Sequence, residues 1–462
     1  MTYPQTIQYL ESFVDYEKIS AYPYKESLRL ERVKDFLTLI GNPQDSLKCI
    51  HIAGTKGKGS ACAFIAYILR QAGYRVGLYT SPHLSDFRER IRILECQSVK
   101  VSKCQGTEDF EGMISQEDLT LLTERLKPAI QNYNKRCEYG PLSFFEVYTS
   151  LAFVYFKEKS VDFTVLETGL GGRLDATNVV NPLVAAITPI SYEHTQKLGN
   201  TLKEIAAEKA GIIKVSRCQG VKVSRSVVIS APQEDEALGV IRNRCKTLGA
   251  RLLEVGKDIL VTAYSLPLTA YRFKVKGISG EYANLKIRLL GKHQLINAAV
   301  AVGVIEALRV YNIDVGMDAI RGGLYNTLWP GRCEVISPDP LIVLDGAQNI
   351  ASTQALKKTV KENFQYKRLI LVLGISSDKD IKGICSELYE LADEIILTKA
   401  DNPRASEPEV LAQYFPGKKI HMTDGVKEAK ALARRLSQKE DLILVCGSLF
   451  VVGDFRNDRI RP

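Results

Sequence analysis

The sequence predicts an α/β protein in two parts. Residues 1–326 form a larger unit on a mostly parallel sheet, and residues 327–462 a smaller Rossmann-like α/β unit. Three observations carry this prediction. Short apolar runs alternate with helix-length segments throughout, the pattern of parallel strands covered on both faces. A glycine-rich bend, Gly54-Thr55-Lys56-Gly57-Lys58-Gly59-Ser60, joins one apolar run to an apolar helix. A break punctuated by Pro and Gly, Trp329-Pro330-Gly331-Arg332, divides the two series.

The first strand is Cys49–Ala53, followed by the glycine bend. A helix then runs from about Ser60 to Ala72, with Phe64, Ile65, Ile68 and Leu69 on one face and Gly73 as its stop. Arg75–Tyr79 reads as a strand ending at Thr80-Ser81-Pro82-His83. A long helix from Phe144 to Lys157 leads to the strand Phe163–Leu166, and Val184–Ile187 is the next. Gly291-Lys292-His293-Gln294 precedes a helix containing Asn297–Ala301. Past the break, Leu341–Leu344, Leu369–Leu373, Glu394–Leu397 and Asp441–Val445 are strands spaced by helices, a doubly wound arrangement.

The glycine bend has the parts of a phosphate cradle. Its glycines let successive N–H groups point inward, and the helix behind adds its positive end. Lys58 supplies a mobile cation for the β- and γ-phosphates, and Ser60 a hydroxyl for Mg²⁺. The generic P-loop spelling fails because Gly59 separates Lys58 from Ser60, so a flexible glycine turn is the plainer alternative. The two lysines and the strand–loop–helix setting favour a P-loop-type ATPase unit. Glu167 follows its strand and faces the crevice at the strand ends, where a hard carboxylate oxygen suits Mg²⁺. No Ser–His–Asp or Cys–His signature points to a covalent nucleophile.

Composition excludes several classes. Hydrophobic residues make up 45% and charged residues 25%, the balance of a soluble globular chain. No apolar run approaches the ~18 residues of a membrane span. Met1 to Lys18 lacks a cationic, apolar leader pattern, so the cytoplasm is the expectation. The 10 cysteines include no Cys-x-x-Cys pair, against a zinc or disulfide framework. The formal charge of +9 is spread without a basic block, which argues for small anionic substrates over nucleic acid.

The spelling Gly-Thr-x-Gly-Lys-Gly-Ser resembles the loop of the Mur-ligase superfamily. Together with Glu167-Thr168-Gly169-Leu170-Gly171-Gly172-Arg173-Leu174-Asp175-Ala176-Thr177-Asn178, it is most similar to the dihydrofolate synthase/folylpolyglutamate synthase family. The resemblance extends from Leu30 to Phe450. It implies an ATP-dependent ligase of folate and one-carbon metabolism that joins L-glutamate to dihydropteroate or reduced folates through an acyl phosphate. It further implies two Mg²⁺ sites served by Ser60, Ser81, Glu167 and His194, and a Lys209 carbamylated by CO₂. By the same resemblance Asp175 touches the pterin-bearing substrate, while Arg332, Asp345 and Asn297 contact nucleotide, Asn297 near the adenine. Phe145 would line the pterin pocket, and Arg404 and Ser448 would face incoming glutamate.

From the residues alone the plainer readings stay open. Lys209 is a cation on a helix surface, His194 a loop residue, Phe145 a core aromatic, Arg404 a solvated turn residue and Arg332 an interdomain ion pair. Gln348 stands where the family most often has His, and Gln cannot carry a proton charge. Cys96-Gln97-Ser98-Val99-Lys100-Val101-Ser102-Lys103 and Cys218-Gln219-Gly220-Val221-Lys222-Val223-Ser224-Arg225 read as related surface insertions near 96–111 and 216–226. Rival readings are another ligase of the superfamily, disfavoured by the short stretch before the bend, and a non-catalytic nucleotide-binding regulator. Nothing in the sequence demands more than a monomer.

Overall fold

The computed structural model describes residues 1–19, 22–96, 110–136, 138–215, 226–265 and 270–457; the repeated segments of the two insertions lie outside them, apart from Cys96. Seven strands form the first sheet: β1 (Cys49–Ala53), β2 (Val76–Tyr79), β3 (Ile91–Leu94), β4 (Phe163–Glu167), β5 (Val184–Ile187), β6 (Val227–Ser230) and β7 (Arg251–Glu254). Their order is β3-β2-β4-β1-β5-β6-β7. Every pairing is parallel except that of β3 with β2 at the edge. Strands β1, β2, β4 and β5 are buried along their whole length, which is why they read as unbroken apolar runs.

The topology places the site. β1 lies between β4 and β5, so the carboxyl ends of β2, β4, β1 and β5 deliver Ser81, Glu167, Gly54 and Thr188 to one rim. Such a rim is where open α/β sheets hold ligands. Behind it runs the helix Lys58–Gln71, starting two residues earlier than the apolar pattern suggests. The helix Met317–Asn326 presses onto it so closely that a Cβ on Gly323 would lie 2.3 Å from the Ile68 Cα.

A small antiparallel sheet of β8 (Leu260–Ser265), β9 (Tyr271–Lys276) and β10 (Glu281–Ile287) covers the same core. Against it packs the helix His293–Ala307, which continues as a 3₁₀ turn to Tyr311. This stretch is apolar and long enough to cross a membrane, yet 83% of it is buried within the protein. Core packing accounts for its composition.

The third sheet contains β11 (Glu334–Pro338), β12 (Leu341–Leu344), β13 (Leu369–Leu373), β14 (Glu394–Leu397), β15 (Lys419–Met422) and β16 (Leu442–Cys446). Its order is β11-β12-β16-β13-β14-β15, parallel apart from the β11 edge. Two separate cores flank it, as expected of a doubly wound unit. The α/β class with mostly parallel sheets is therefore as the sequence predicts.

Candidate active site

The phosphate loop leaves β1 at Gly54 and enters its helix at Gly57, whose φ of 80° is left-handed. A Cβ on Gly57 would sit 2.2 Å from the Asn297 side-chain oxygen, and one on Gly59 would sit 2.8 Å from the Trp329 ring. Only glycine admits these neighbours. The expectation that successive loop amides point inward needs correction. The N–H groups of Thr55 and Lys56 both donate to the Pro189 carbonyl, at 3.0 and 3.1 Å. A phosphate would therefore meet the first-turn amides of Lys58, Gly59 and Ser60, which have no intrahelical acceptor. Ser60 is buried there.

Glu167 is the last residue of β4, not the first beyond it, and its backbone is fixed by the ladder to β1. Its carboxylate lies 3.9 Å from the Lys58 ammonium and accepts a 3.3 Å hydrogen bond from the Ser81 amide. Desolvation raises its pKa against the pull of Lys58, Ser81 and Arg332. A buried carboxylate so lightly paired is suited to a cation. Ser81 begins the bend after β2. His194 follows β5 with left-handed backbone (φ 53°) at the start of the helix Thr195–Leu198. Desolvation holds its pKa down at about 3, with Lys379, Lys197 and Lys209 adding to the effect, so the imidazole is neutral with a lone pair to offer.

Lys209 is buried, unlike a solvated helix cation, and its ammonium donates a 2.9 Å hydrogen bond to the Gly54 carbonyl. Burial first, and Lys58 next, lower its pKa to about 7. Asp175 is also buried, with both oxygens engaged. One accepts from the Gly169 and Leu170 amides at 2.9 and 3.0 Å, the other from the Thr177 amide and hydroxyl. Asp175 thus shapes the Gly169–Thr177 bend that walls the cleft.

From the other side of the break come Arg332 and Asp345. Asp345 accepts the Cys333 and Ala347 amides, each at 2.8 Å, and Arg332 pulls its pKa down against the dominant effect of burial. Asn297 is buried against Gly57, its amide donating to Gln294 at 2.9 Å. Glu167 and Asn297 thus border the phosphate loop, Arg332 acts electrostatically on Glu167, and Asp345 is coupled to Arg332.

Beside them opens a cleft of about 1080 Å³, including its mouth. Ser81, Phe145, Asp175, His194 and Arg404 line it. Phe145 is half-buried and turned into the cleft, whereas its neighbour Phe144 belongs to the core. Gln348 also lines the wall. Ser448 stands apart from that lining: its hydroxyl caps the helix Leu449–Arg456 by accepting the Phe450 amide at 3.2 Å.

Two features escaped the sequence reading. Glu193 accepts from Lys56 of the phosphate loop and from Asn349 across the break, each at 2.9 Å, so one carboxylate joins the two units. Desolvation pushes its carboxyl up, but Lys56, His194 and Lys379 bring it down to about 2. His51 of β1 is 2.8 Å from the Thr177 hydroxyl, which donates to Asp175 and so must accept the His51 Nε2 proton. Among the described residues no three His, Cys, Asp or Glu side chains form a metal cage.

Two family models match the chain. The Mur ligase middle domain covers residues 134–305, and the Mur ligase glutamate ligase domain covers residues 331–449. The Bacillus subtilis dihydrofolate synthase/folylpolyglutamate synthase is 34% identical over 433 residues, 92% of this chain and 94% of that protein. Mycobacterium tuberculosis folylpolyglutamate synthase complexed with ADP superposes with a TM-score of 0.86 at 28% identity, covering 99% of both chains. Escherichia coli FolC in complex with DHPP and ADP gives 0.80 at 29% identity, covering 98% of this chain and 96% of that one. The phosphate loop, the rim of four strand ends and this likeness along nearly the whole length lead to one assignment: the chain belongs to the dihydrofolate synthase/folylpolyglutamate synthase family of ATP-dependent Mur ligases.

Proposed function

We propose that this ligase adds L-glutamate to 7,8-dihydropteroate, to reduced folates, or to both, through an acyl phosphate. The observation that carries the reading is the meeting of Lys58, Glu167 and Arg332 beside a cleft large enough for an aromatic acid. In such a reaction a substrate carboxylate oxygen attacks the γ-phosphorus, ADP leaves, and the amine then displaces phosphate. The protein's task is to align two anions and offset their charge. Lys58 and the first-turn amides would hold the phosphates, and Arg332 would face the transferring group from the second unit. Asn297 and Asp345 would border the nucleotide, Phe145 the aromatic acid, and Arg404 the incoming glutamate. For Ser448 the reading is confined to holding Phe450 at the cleft.

The residues present fit Mg²⁺, a hard cation that takes few protein ligands and keeps water and phosphate oxygens. Glu167 offers a buried carboxylate, Ser60 and Ser81 hydroxyls, and His194 a neutral nitrogen. Bound there, the ion would neutralise charge between the phosphates and the acid. Lys209 fits carbamylation, because its amine is neutral in good part near pH 7. Its nitrogen would bond to the CO₂ carbon and release a proton, turning a cation into an anion. The same reading has the chain working as a cytoplasmic monomer, both nucleotide-facing units coming from one polypeptide. Release of ADP and phosphate that requires both L-glutamate and either pterin acid tests the proposal; turnover with neither acid overturns it.

A further inference from the structure

Three cations meet in the cleft: Lys197, Lys379 and Arg404. Few acids answer them. Of the carboxylates in the lining, Arg90 holds both oxygens of Glu17, Arg32 and the Ser143 amide hold Glu146, and the Gly169, Leu170 and Thr177 amides hold Asp175. Asp378 remains, 3.4 Å from Arg404 and 3.7 Å from Lys379. The Arg404 Nε is buried without a hydrogen-bond partner. The lining carboxylates are thus already engaged elsewhere, and the three cations share Asp378 as their acidic neighbour.

Lys197 differs from the other two in where it is anchored. Its ammonium lies 4.0 Å from the centre of the Tyr22 ring and 3.5 Å from the Ile19 carbonyl. Tyr22 in turn packs on Tyr16 at 4.6 Å between ring centres. These residues precede β1 and form the aromatic wall of the first unit, whereas Lys379 and Arg404 follow the Trp329–Arg332 break. Lys197 therefore keeps its place relative to the acid substrate, and Lys379 and Arg404 keep theirs relative to the second unit. Seated on a tyrosine face with a single carbonyl acceptor at 3.5 Å, the ammonium is short of full hydrogen bonding.

Resting on the ligase reading above, we infer that Lys197 is a specificity-determining residue. It recognises the additional α-carboxylate of a folate that already ends in glutamate, a group dihydropteroate lacks. Arg404 and Lys379 are left for the incoming amino acid. The inference adds a preference among acids to the proposed reaction, set by one lysine on an aromatic ledge.

The test compares kcat/KM for a tetrahydrofolate monoglutamate and for dihydropteroate in wild type, Lys197→Met and Lys197→Arg. The expected result for Lys197→Met is an approximately tenfold fall in the ratio of the two constants, carried by KM of the glutamate-ended folate. Lys197→Arg should restore most of it, and KM for L-glutamate should not follow. An unchanged ratio, or a rise confined to KM for L-glutamate, overturns the inference and leaves the ligase reading intact. So does a wild-type enzyme that uses dihydropteroate but neither binds nor extends the glutamate-ended folate. Absence of turnover with both acids removes the ligase reading, and this inference with it.

Discussion

The Lys209 ammonium donates a 2.9 Å hydrogen bond to the carbonyl oxygen of Gly54, although 155 positions separate the two residues. The contact ties the helix Leu202–Ala210 to the first residue of the phosphate loop. It also keeps the amine in a buried place where charge is costly.

The first prediction concerns pH. Burial lowers the Lys209 pKa from 10.5 to about 7, so the unfolded chain binds the extra proton throughout that interval. The stability penalty is present in full below pH 7 and relieved as pH rises toward 10.5. The neutral amine needed for carbamylation follows the folded-state pKa alone: it predominates above pH 7 and falls about tenfold for each unit below it. Activity measured in CO₂-depleted buffer should respond to added bicarbonate at pH 8 and respond weakly at pH 6. Lys209→Met should abolish the response and gain melting temperature relative to wild type more at pH 6.5 than at pH 9.5.

Gly57→Ala should damage nucleotide binding. A left-handed backbone at φ 80° costs an L-residue roughly 1–2 kcal/mol, and the new methyl would meet Asn297 at 2.2 Å. Calorimetry with ADP should show affinity weakened at least tenfold, alongside a lower melting temperature.

Glu167→Gln separates chemistry from folding. Desolvation disfavours the buried charge, so a neutral amide of the same shape should leave the melting temperature unchanged or raised. Turnover should fall by a factor of about 100 or more, the usual scale for losing a charge-stabilising group.

Glu193→Ala should loosen the contact between the two units. Lys56 and Asn349 lose a shared acceptor, a partly buried junction worth about 1–3 kcal/mol. A double-mutant cycle with Asn349→Ala should show non-additive changes in kcat/KM, since both substitutions break the same bridge.

Local chemistry was legible in the sequence and distant pairing was not. Val184–Ile187, Leu341–Leu344, Leu369–Leu373 and Glu394–Leu397 were read at their observed bounds, because buried parallel strands are bare apolar runs. β8, β9 and β10 were missed. Their alternation, with Tyr271, Phe273 and Val275 inward, is interrupted by irregular pairing, and such a half-exposed sheet gives a weaker signal. Glu167 was placed at the strand end on sound grounds, since a strand delivers its last residue to the rim. Helix period alone reads Lys209 as a surface cation, yet the packing of its helix buries it. The Lys56–Glu193–Asn349 bridge depends on strand order and on how the units meet, which no local spacing encodes.

The most direct measurement follows oxygen from acid to phosphate. Dihydropteroate or a reduced folate labelled with ¹⁸O in its reacting carboxylate is turned over with ATP, Mg²⁺ and L-glutamate, and the released phosphate is weighed by mass spectrometry. Our account predicts one labelled oxygen in the phosphate for each amide bond formed. Phosphate whose newly acquired oxygen comes from solvent, released at the same rate without glutamate, would contradict it.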